Sequence, residues 1–225
     1  MANVKVAENH LTYGGVAYFR ANAEEIRIGS IGEKRTPITK QNYLEVKDQI
    51  PAPKIDKVRS TIVEINQKSI SKSALEAGIF AIIQGIPVRL NGSNARKKLE
   101  SYELKLVKFS VPINQMITAV NNSPKRLNKL VDYGKDARIV HQVFVVLEAE
   151  IAQKFHNETD VKLAIGAHGL EGQVTGSGST SRTTKVRLEP GTCFAYLLAK
   201  IDWNANLKKN KTKVVDLDDD QWSFS

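Results

Sequence analysis

Few side chains in this sequence are of a type and spacing that could do covalent chemistry. The single cysteine, Cys193, lies between the Pro190-Gly191 turn and the apolar run Phe194 to Leu198. That is the setting of a packed thiol rather than a nucleophile. The four histidines, His10, His141, His156 and His168, share no metal-ligand spacing. His168 falls among small residues and is expected to be solvated or to line a turn. No H-E-x-x-H, G-x-S-x-G, Walker-type phosphate loop or G-x-G-x-x-G occurs. Gly176-Ser-Gly178 lies between strand-like segments, so it makes no phosphate cradle at a helix N-terminus. The expectation is a protein that is not an enzyme and uses neither metal nor cofactor.

What remains is charge. The 33 Lys+Arg outnumber 24 Asp+Glu, for a formal charge of +9. Asp216, Asp218, Asp219 and Asp220 cluster near the end, which leaves the rest of the chain more basic still. Such a surface attracts nucleic acid or the anionic face of a membrane, unless the charge serves solubility alone. One cysteine excludes an internal disulfide and a Cys-based zinc site, and suits the cytosol. The opening Met1-Ala-Asn-Val-Lys lacks the apolar run of a signal peptide. No stretch approaches the ~18 apolar residues of a transmembrane helix. A soluble, cytoplasmic chain is expected, and any membrane span would have to come from strands.

The elements that carry these residues come next. At 225 residues, with 41% hydrophobic content, the chain has ample length for a core. The first 57 residues read as irregular, with one short helix over Gln41 to Gln49 before Pro51 and Pro53. Val58 to Ile65 reads as a strand. Ser73 to Ile83 is apolar but contains Gly78, and periodicity does not assign it to helix or strand. Tyr102 to Val111 alternates as a strand, with a slip at Val107. Ile113 to Val120 and Pro124 to Tyr133 are expected helices. Ser123 can cap the second, Leu127, Leu130 and Val131 form its stripe, and Gly134 ends it. Ile139 to Phe155, Val161 to Leu170, Thr184 to Leu188 and Phe194 to Ile201 are β-prone, around a Gly/Ser/Thr-rich stretch from Gly172 to Ser181.

The regions near 58–111 and 139–188 are each long enough for one amphipathic hairpin with small, polar residues on one face. In a sandwich that face meets solvent; in a pore it lines water. The apolar segments Leu75 to Ile83 and Leu163 to Leu170 suit membrane-penetrating tips, and they suit core helices as well.

The order of motifs in the second half carries a resemblance. Ala137 to Glu148, then Ile165 to Gly172, then Ser181 to Tyr196 together resemble the gasdermin pore-forming domain. There an apolar strand is followed by a Gly-rich hairpin and a Lys-rich strand. That strand closes in a turn and an apolar-Ala-aromatic sequence, matched here from Glu189 to Tyr196. Tyr102 to Leu106 resembles the strand that closes the first gasdermin hairpin, and Pro124 to Lys135 the helix before the second. About 58–203 is covered, and residues 1–57 fit poorly.

The resemblance implies an α+β fold, a twisted antiparallel sheet with surrounding helices that refolds into long hairpins of an oligomeric transmembrane β-barrel. It implies one domain over 1–225: an N-terminal region over 1–57, hairpin one about 58–111, helices 112–136, hairpin two about 139–188, and a final strand and tail 189–225. Acidic phospholipids would be the partners, bound by Lys34, Arg35, Lys125, Arg126 and Lys129. Leu75, Ile79, Phe80, Ile82, Ile83, Leu163, Ile165 and Leu170 would enter the membrane. The chain would be cytoplasmic when soluble and at the plasma membrane when assembled, as a homo-oligomer or with a variant partner, and would bind no nucleic acid.

Several departures qualify this. No aromatic-rich basic anchor loop is recognisable in the first 57 residues, and Ala167-His168-Gly169 stands where the family often has a reactive cysteine. The sequence stops soon after Trp222 and has no near-terminal cysteine, so neither a C-terminal repressor domain nor lipidation is expected. The nearest likeness is therefore to the short fungal regulator-of-cell-death proteins, which act in allorecognition. Two rival expectations stand beside it: a basic β-sandwich that binds nucleic acid through aromatics interleaved with cations, and an assembly protein that acts without membrane.

Overall fold

In the computed structural model, residues 3–51, 59–65, 67–76, 104–148, 152, 161–165, 170–174, 193–203 and 213–223 are described. The spine is an antiparallel pair, β8 (Ala137–Glu148) and β11 (Cys193–Ile201). Both strands are rich in β-branched and aromatic residues, and Ile139, Val140, Val143, Phe144, Leu197 and Leu198 are all fully buried. Strands covered on both faces read as near-continuous apolar runs, which explains why neither alternates in sequence.

Each spine strand forks. One edge of β8 pairs with β4 (Ser30–Arg35) through Ala137 to Ile139, and then with β7 (Leu104–Ser110) through Gln142 to Glu148. Between the branches the Gly29 amide donates to Val140 O and the Val111 amide to His141 O. β4 carries β5 (Tyr43–Gln49), and β7 carries β6 (Arg59–Glu64). The other edge of β11 is divided likewise. β3 (Val16–Phe19) meets it at Tyr196, and β12 (Leu217–Asp220) covers Leu198 to Ile201. β2 (His10–Tyr13) and β1 (Val4–Val6) extend from β3, completing a ten-stranded antiparallel sheet. A separate hairpin of β9 (Val161–Ile165) and β10 (Leu170–Val174) sets Ile165 opposite Leu170 and Leu163 opposite Gly172.

Beside the strands stand the α-helices α1 (Lys72–Glu76), α2 (Ile113–Asn121) and α3 (Pro124–Tyr133), with short 3-10 turns at Ala23–Glu25, Gln67–Ser69 and Gly134–Asp136. The fold is α+β with a mostly antiparallel sheet, as expected. α3 has the expected bounds. Leu127 and Leu130 are buried, and Gly134 ends the helix with its φ of 58°. Ser123 does not cap it, because its hydroxyl donates to Ala119 O at 2.9 Å instead. Of the ambiguous run Ser73 to Ile83, the stretch to Glu76 is helical and 77–83 lies outside the described residues.

Two expectations are overturned. The first 57 residues contain five strands and are not irregular. Three of these strands are only three or four residues long, too short for a period of two to show. Gly14 and Gly15, both at positive φ (59° and 84°), make the two-residue turn joining β2 to β3. Second, Gln41 to Gln49 holds strand β5 rather than a helix: Leu44 and Val46 alternate with Glu45 and Lys47, and β4 supplies its ladder. A bulge between Ile31 and Gly32 fits this hairpin to β8. A Cβ on Gly32 would stand 1.9 Å from Glu45 O, so only glycine allows the approach.

Candidate functional site

The five cations expected to meet lipid all lie around the β4–β5 hairpin, and most are already paired. Lys34 Nζ donates to Asp220 at 2.9 and 3.1 Å and stands 5.4 Å from the Phe19 ring. Its side chain is 14% exposed, so it serves the fold in this conformation. Arg35 is half-exposed and pairs with Glu33 at 3.0 Å and with Glu45. On α3, Lys129 and Arg126 approach the same Asp48 carboxylate, at 2.6 and 3.6 Å. Burial pushes Asp48 up, but the Lys129 hydrogen bond, the Gln49 amide and both cationic charges hold it below the usual carboxylate range. Lys125 alone of the five is exposed with no partner among the described residues. Asp48 lies five residues along β5 from Tyr43, the partner of Arg35, so the two cation groups are roughly 15 Å apart along the strand and form no single patch.

Sequence reasoning missed Ile38. It lies in the β4–β5 connection with 88% of its surface exposed, between Arg35 and Lys40. Isolated between Thr36-Pro37 and Thr39 it carries no periodic signal, and only the hairpin geometry reveals it. A large apolar side chain presented at a turn and flanked by cations suits contact with a membrane interface.

The acidic tail is not a detached run. As β12 it supplies the counterions of the spine. Asp220 accepts from both Lys34 and Arg138, the latter buried on β8. Asp219 Oδ1 stands 3.0 Å from the buried His141 Nε2, without the alignment of a good hydrogen bond. That contact holds the Asp219 carboxyl below its ordinary value against partial burial. Lys108 of β7 lies 5.6 Å from both the Tyr13 and Tyr18 rings, and burial there pushes its ammonium down while Asp219 opposes the shift. Beyond β12, Trp222 stacks on His10 at 4.2 Å.

The segments expected to enter the membrane are only partly described. Leu75 is half-buried on α1 and packs against the core. Ile79, Phe80, Ile82 and Ile83 lie outside the described residues. Leu163 and Ile165 belong to β9 and Leu170 to β10, two paired antiparallel strands, and 166–169 lie likewise outside the described residues. His156 and His168 fall outside as well.

The strand ends themselves are informative. Glu64 pairs with Lys105, Leu104 with Glu148, and Cys193 with Val145. The end of β6, the start of β7, the end of β8 and the start of β11 therefore all lie at one end of a continuous antiparallel array, β6–β7–β8–β11. The connecting segments 65–103 and 149–192 both leave from that end.

The described half of the Glu189 to Tyr196 motif is core. Cys193 is buried, and burial pushes its thiol well up. Phe194 lies 4.5 Å beneath the Arg20 guanidinium. Tyr196 stacks on Phe19, and its hydroxyl donates to Ala21 O at 2.7 Å and accepts from the Leu44 amide at 3.1 Å.

Among the described residues no group of three or more His, Cys, Asp and Glu could hold a metal, and no helix is long and apolar enough to cross a membrane. Tyr18, Phe19, Phe109, Phe144, Phe194 and Tyr196 are all buried, so none of them offers a stacking platform for nucleic acid. The class defined so far is an α+β protein with a forked antiparallel sheet. No protein-family model, curated protein or solved structure matches the chain.

Proposed function

We propose that this chain is a gasdermin-like pore former. It binds acidic phospholipids, assembles into rings and permeabilises the plasma membrane from the cytosolic side, causing lytic cell death, with a variant of the same family as a partner in allorecognition. The observation that carries this reading is the common departure of segments 65–103 and 149–192 from one end of β6–β7–β8–β11. Two segments leaving adjacent strands at one end can, by rearranging into hairpins, lengthen the same sheet without re-registering it. In a bilayer such a sheet must close on itself to satisfy its edge groups, which requires neighbouring subunits.

Lipid capture then falls to different residues from those first expected. Lys34, Arg126 and Lys129 are committed to ion pairs and the half-exposed Arg35 pairs with Glu33 and Glu45, whereas Lys125 and the exposed Ile38 remain at the surface. Each exposed cation near an anionic leaflet contributes about 1 kcal/mol. The test is dye release from vesicles of neutral lipid with and without phosphatidylserine, using the chain alone and with a variant partner. Release should require the acidic lipid and drop about tenfold or more in the Ile38→Ser, Lys125→Glu double variant. No release under any of these conditions would contradict the reading.

A further inference from the structure

Beside the exposed Ile38 stands a hydroxyl that none of these roles uses. Of the seven prolines in the chain, only Pro37 and Pro124 follow a hydroxyl residue, in Arg35-Thr36-Pro37 and in Ser123-Pro124-Lys125-Arg126. Both dipeptides have the form that proline-directed serine/threonine kinases accept. By sequence alone the second is the fuller match, because two cations follow its proline.

The fold reverses that choice. Ser123 is 3% exposed, its hydroxyl donates to Ala119 O at 2.9 Å, and helix α3 begins at Pro124 directly after it. A kinase cleft takes its acceptor as an extended strand, and reaching Ser123 would mean unwinding the junction of α2 and α3. Thr36 is exposed and is the first residue beyond the β4–β5 ladder, whose last pair is Arg35 with Tyr43. Pro37 disfavours the helical region for the residue before it, so Thr36 is already biased toward the extended backbone a cleft requires. On the far side the Lys40 amide donates to Pro37 O at 3.2 Å, closing a turn with Thr39 at φ 59°. That turn carries Ile38 and Lys40, both exposed. Fraying the terminal Arg35–Tyr43 pair and opening this one turn hydrogen bond is enough to free the segment.

We propose that Thr36 is a phosphorylation site for a proline-directed kinase, and that its phosphate switches off the membrane contact made by Ile38. The switch rests on the pore reading above; the site does not. In the transfer, Thr36 Oγ1 bonds to the γ-phosphorus of ATP, the bond from that phosphorus to the β,γ-bridging oxygen breaks, and ADP leaves. The hydroxyl proton passes to the catalytic carboxylate of the kinase. The product carries a charge of about −1.5 to −2 at pH 7. It stands two positions from Ile38, where an acidic leaflet repels it and its own hydration opposes entry of the apolar side chain into the interface.

Two arms test it, each with the full chain. In the first, the chain is incubated with ATP and either a cyclin-dependent or a mitogen-activated kinase, and phosphate is located by peptide mass spectrometry. Phosphate is expected on Thr36 and not on Ser123. Thr36→Ala, with thermal melting unchanged, should abolish it, and Pro37→Ala should slow it about tenfold or more while leaving the hydroxyl in place. No phosphate on Thr36 with either kinase overturns the site, as does phosphorylation that Pro37→Ala leaves unchanged. In the second arm, co-flotation with phosphatidylserine vesicles compares the phosphorylated and unmodified chains. The phosphorylated chain should bind about tenfold or more weakly, and kinase-treated Thr36→Ala should bind like the untreated chain. Equal binding of the two forms to vesicles that leak overturns the switch. Leaking vesicles together with a Thr36 that neither kinase modifies would sink this proposal and spare the pore reading. Phosphate on Thr36 of a chain whose unmodified form leaks no vesicle would sink the pore reading, with the switch that rests on it, and spare the site.

Discussion

The two branches of β8 are built on different principles. The β4–β5 hairpin takes only three pairings from β8 and is tied in by side chains from elsewhere: Asp220 on Lys34, Lys129 on Asp48, Tyr196 on Leu44 and Ser223 on Asn42. The β6–β7 pair is the reverse. Seven pairings join β7 to β8 and six join β6 to β7, while the ion pair across it, Lys105 to Glu64, has a largely exposed glutamate. A branch held by its ladder and apolar packing can be lengthened by adding more ladder. A branch held by specific side-chain ties cannot move without breaking them. On the proposed pore reading, the fixed body would be β4–β5, α3 and β12, and the extensible region β6–β7–β8–β11.

Substitutions can break or sharpen that contrast. The largest effect is expected from Gly32→Ala. Its Cβ would meet the backbone oxygen of Glu45 at 1.9 Å, and backbone does not yield as a side-chain tip does. A loss of about 3 kcal/mol in urea unfolding is expected, with no effect of that size from alanine at the exposed Thr61 in the other branch. Tyr196→Phe comes next. It strands the part-buried Ala21 carbonyl and the buried Leu44 amide, and should cost about 2 kcal/mol in the same assay.

Acid should loosen the fixed body in two stages. Burial, reinforced by Lys5 and Arg20, holds His10 below its ordinary value. The unfolded chain therefore takes the proton first, and stability falls as pH drops through ~6.5 until folded His10 titrates. Asp48 and Asp219 are also held low, so their contribution, complete above pH ~4, is lost as pH falls toward their folded values. Melting temperature against pH should show both stages, and His10→Gln should abolish the first. The smallest effect belongs to Lys105→Ala, which should change stability by less than about 0.5 kcal/mol because Glu64 is 62% exposed.

The sequence made the long elements legible and the short or charge-held strands obscure, for a physical reason. β7, β8, β11 and α3 are long, and their apolar residues follow or saturate the period of one element. Strands β1 to β3 are too short to show a period, and their signal lay in Gly14-Gly15. β12 has one apolar residue, Leu217, among three aspartates, so nothing local marks it as a strand; its reason to be one is Lys34, Arg138 and His141, each far away in the chain. The same nonlocality defeated the reading of Lys34, Arg126 and Lys129 as free surface cations. Their partners, Asp220 and Asp48, are 186, 78 and 81 positions from them, a juxtaposition that only the folded sheet makes.

The central claim is that segments 65–103 and 149–192 extend one sheet while the β4–β5 branch stays in place. Hydrogen-exchange mass spectrometry of the chain, free and on leaking phosphatidylserine vesicles, tests it directly. The account predicts slowed exchange in both segments on the membrane, with exchange over 30–49 unchanged. Unchanged exchange in both segments on leaking vesicles, or lost protection over 30–49, would contradict it.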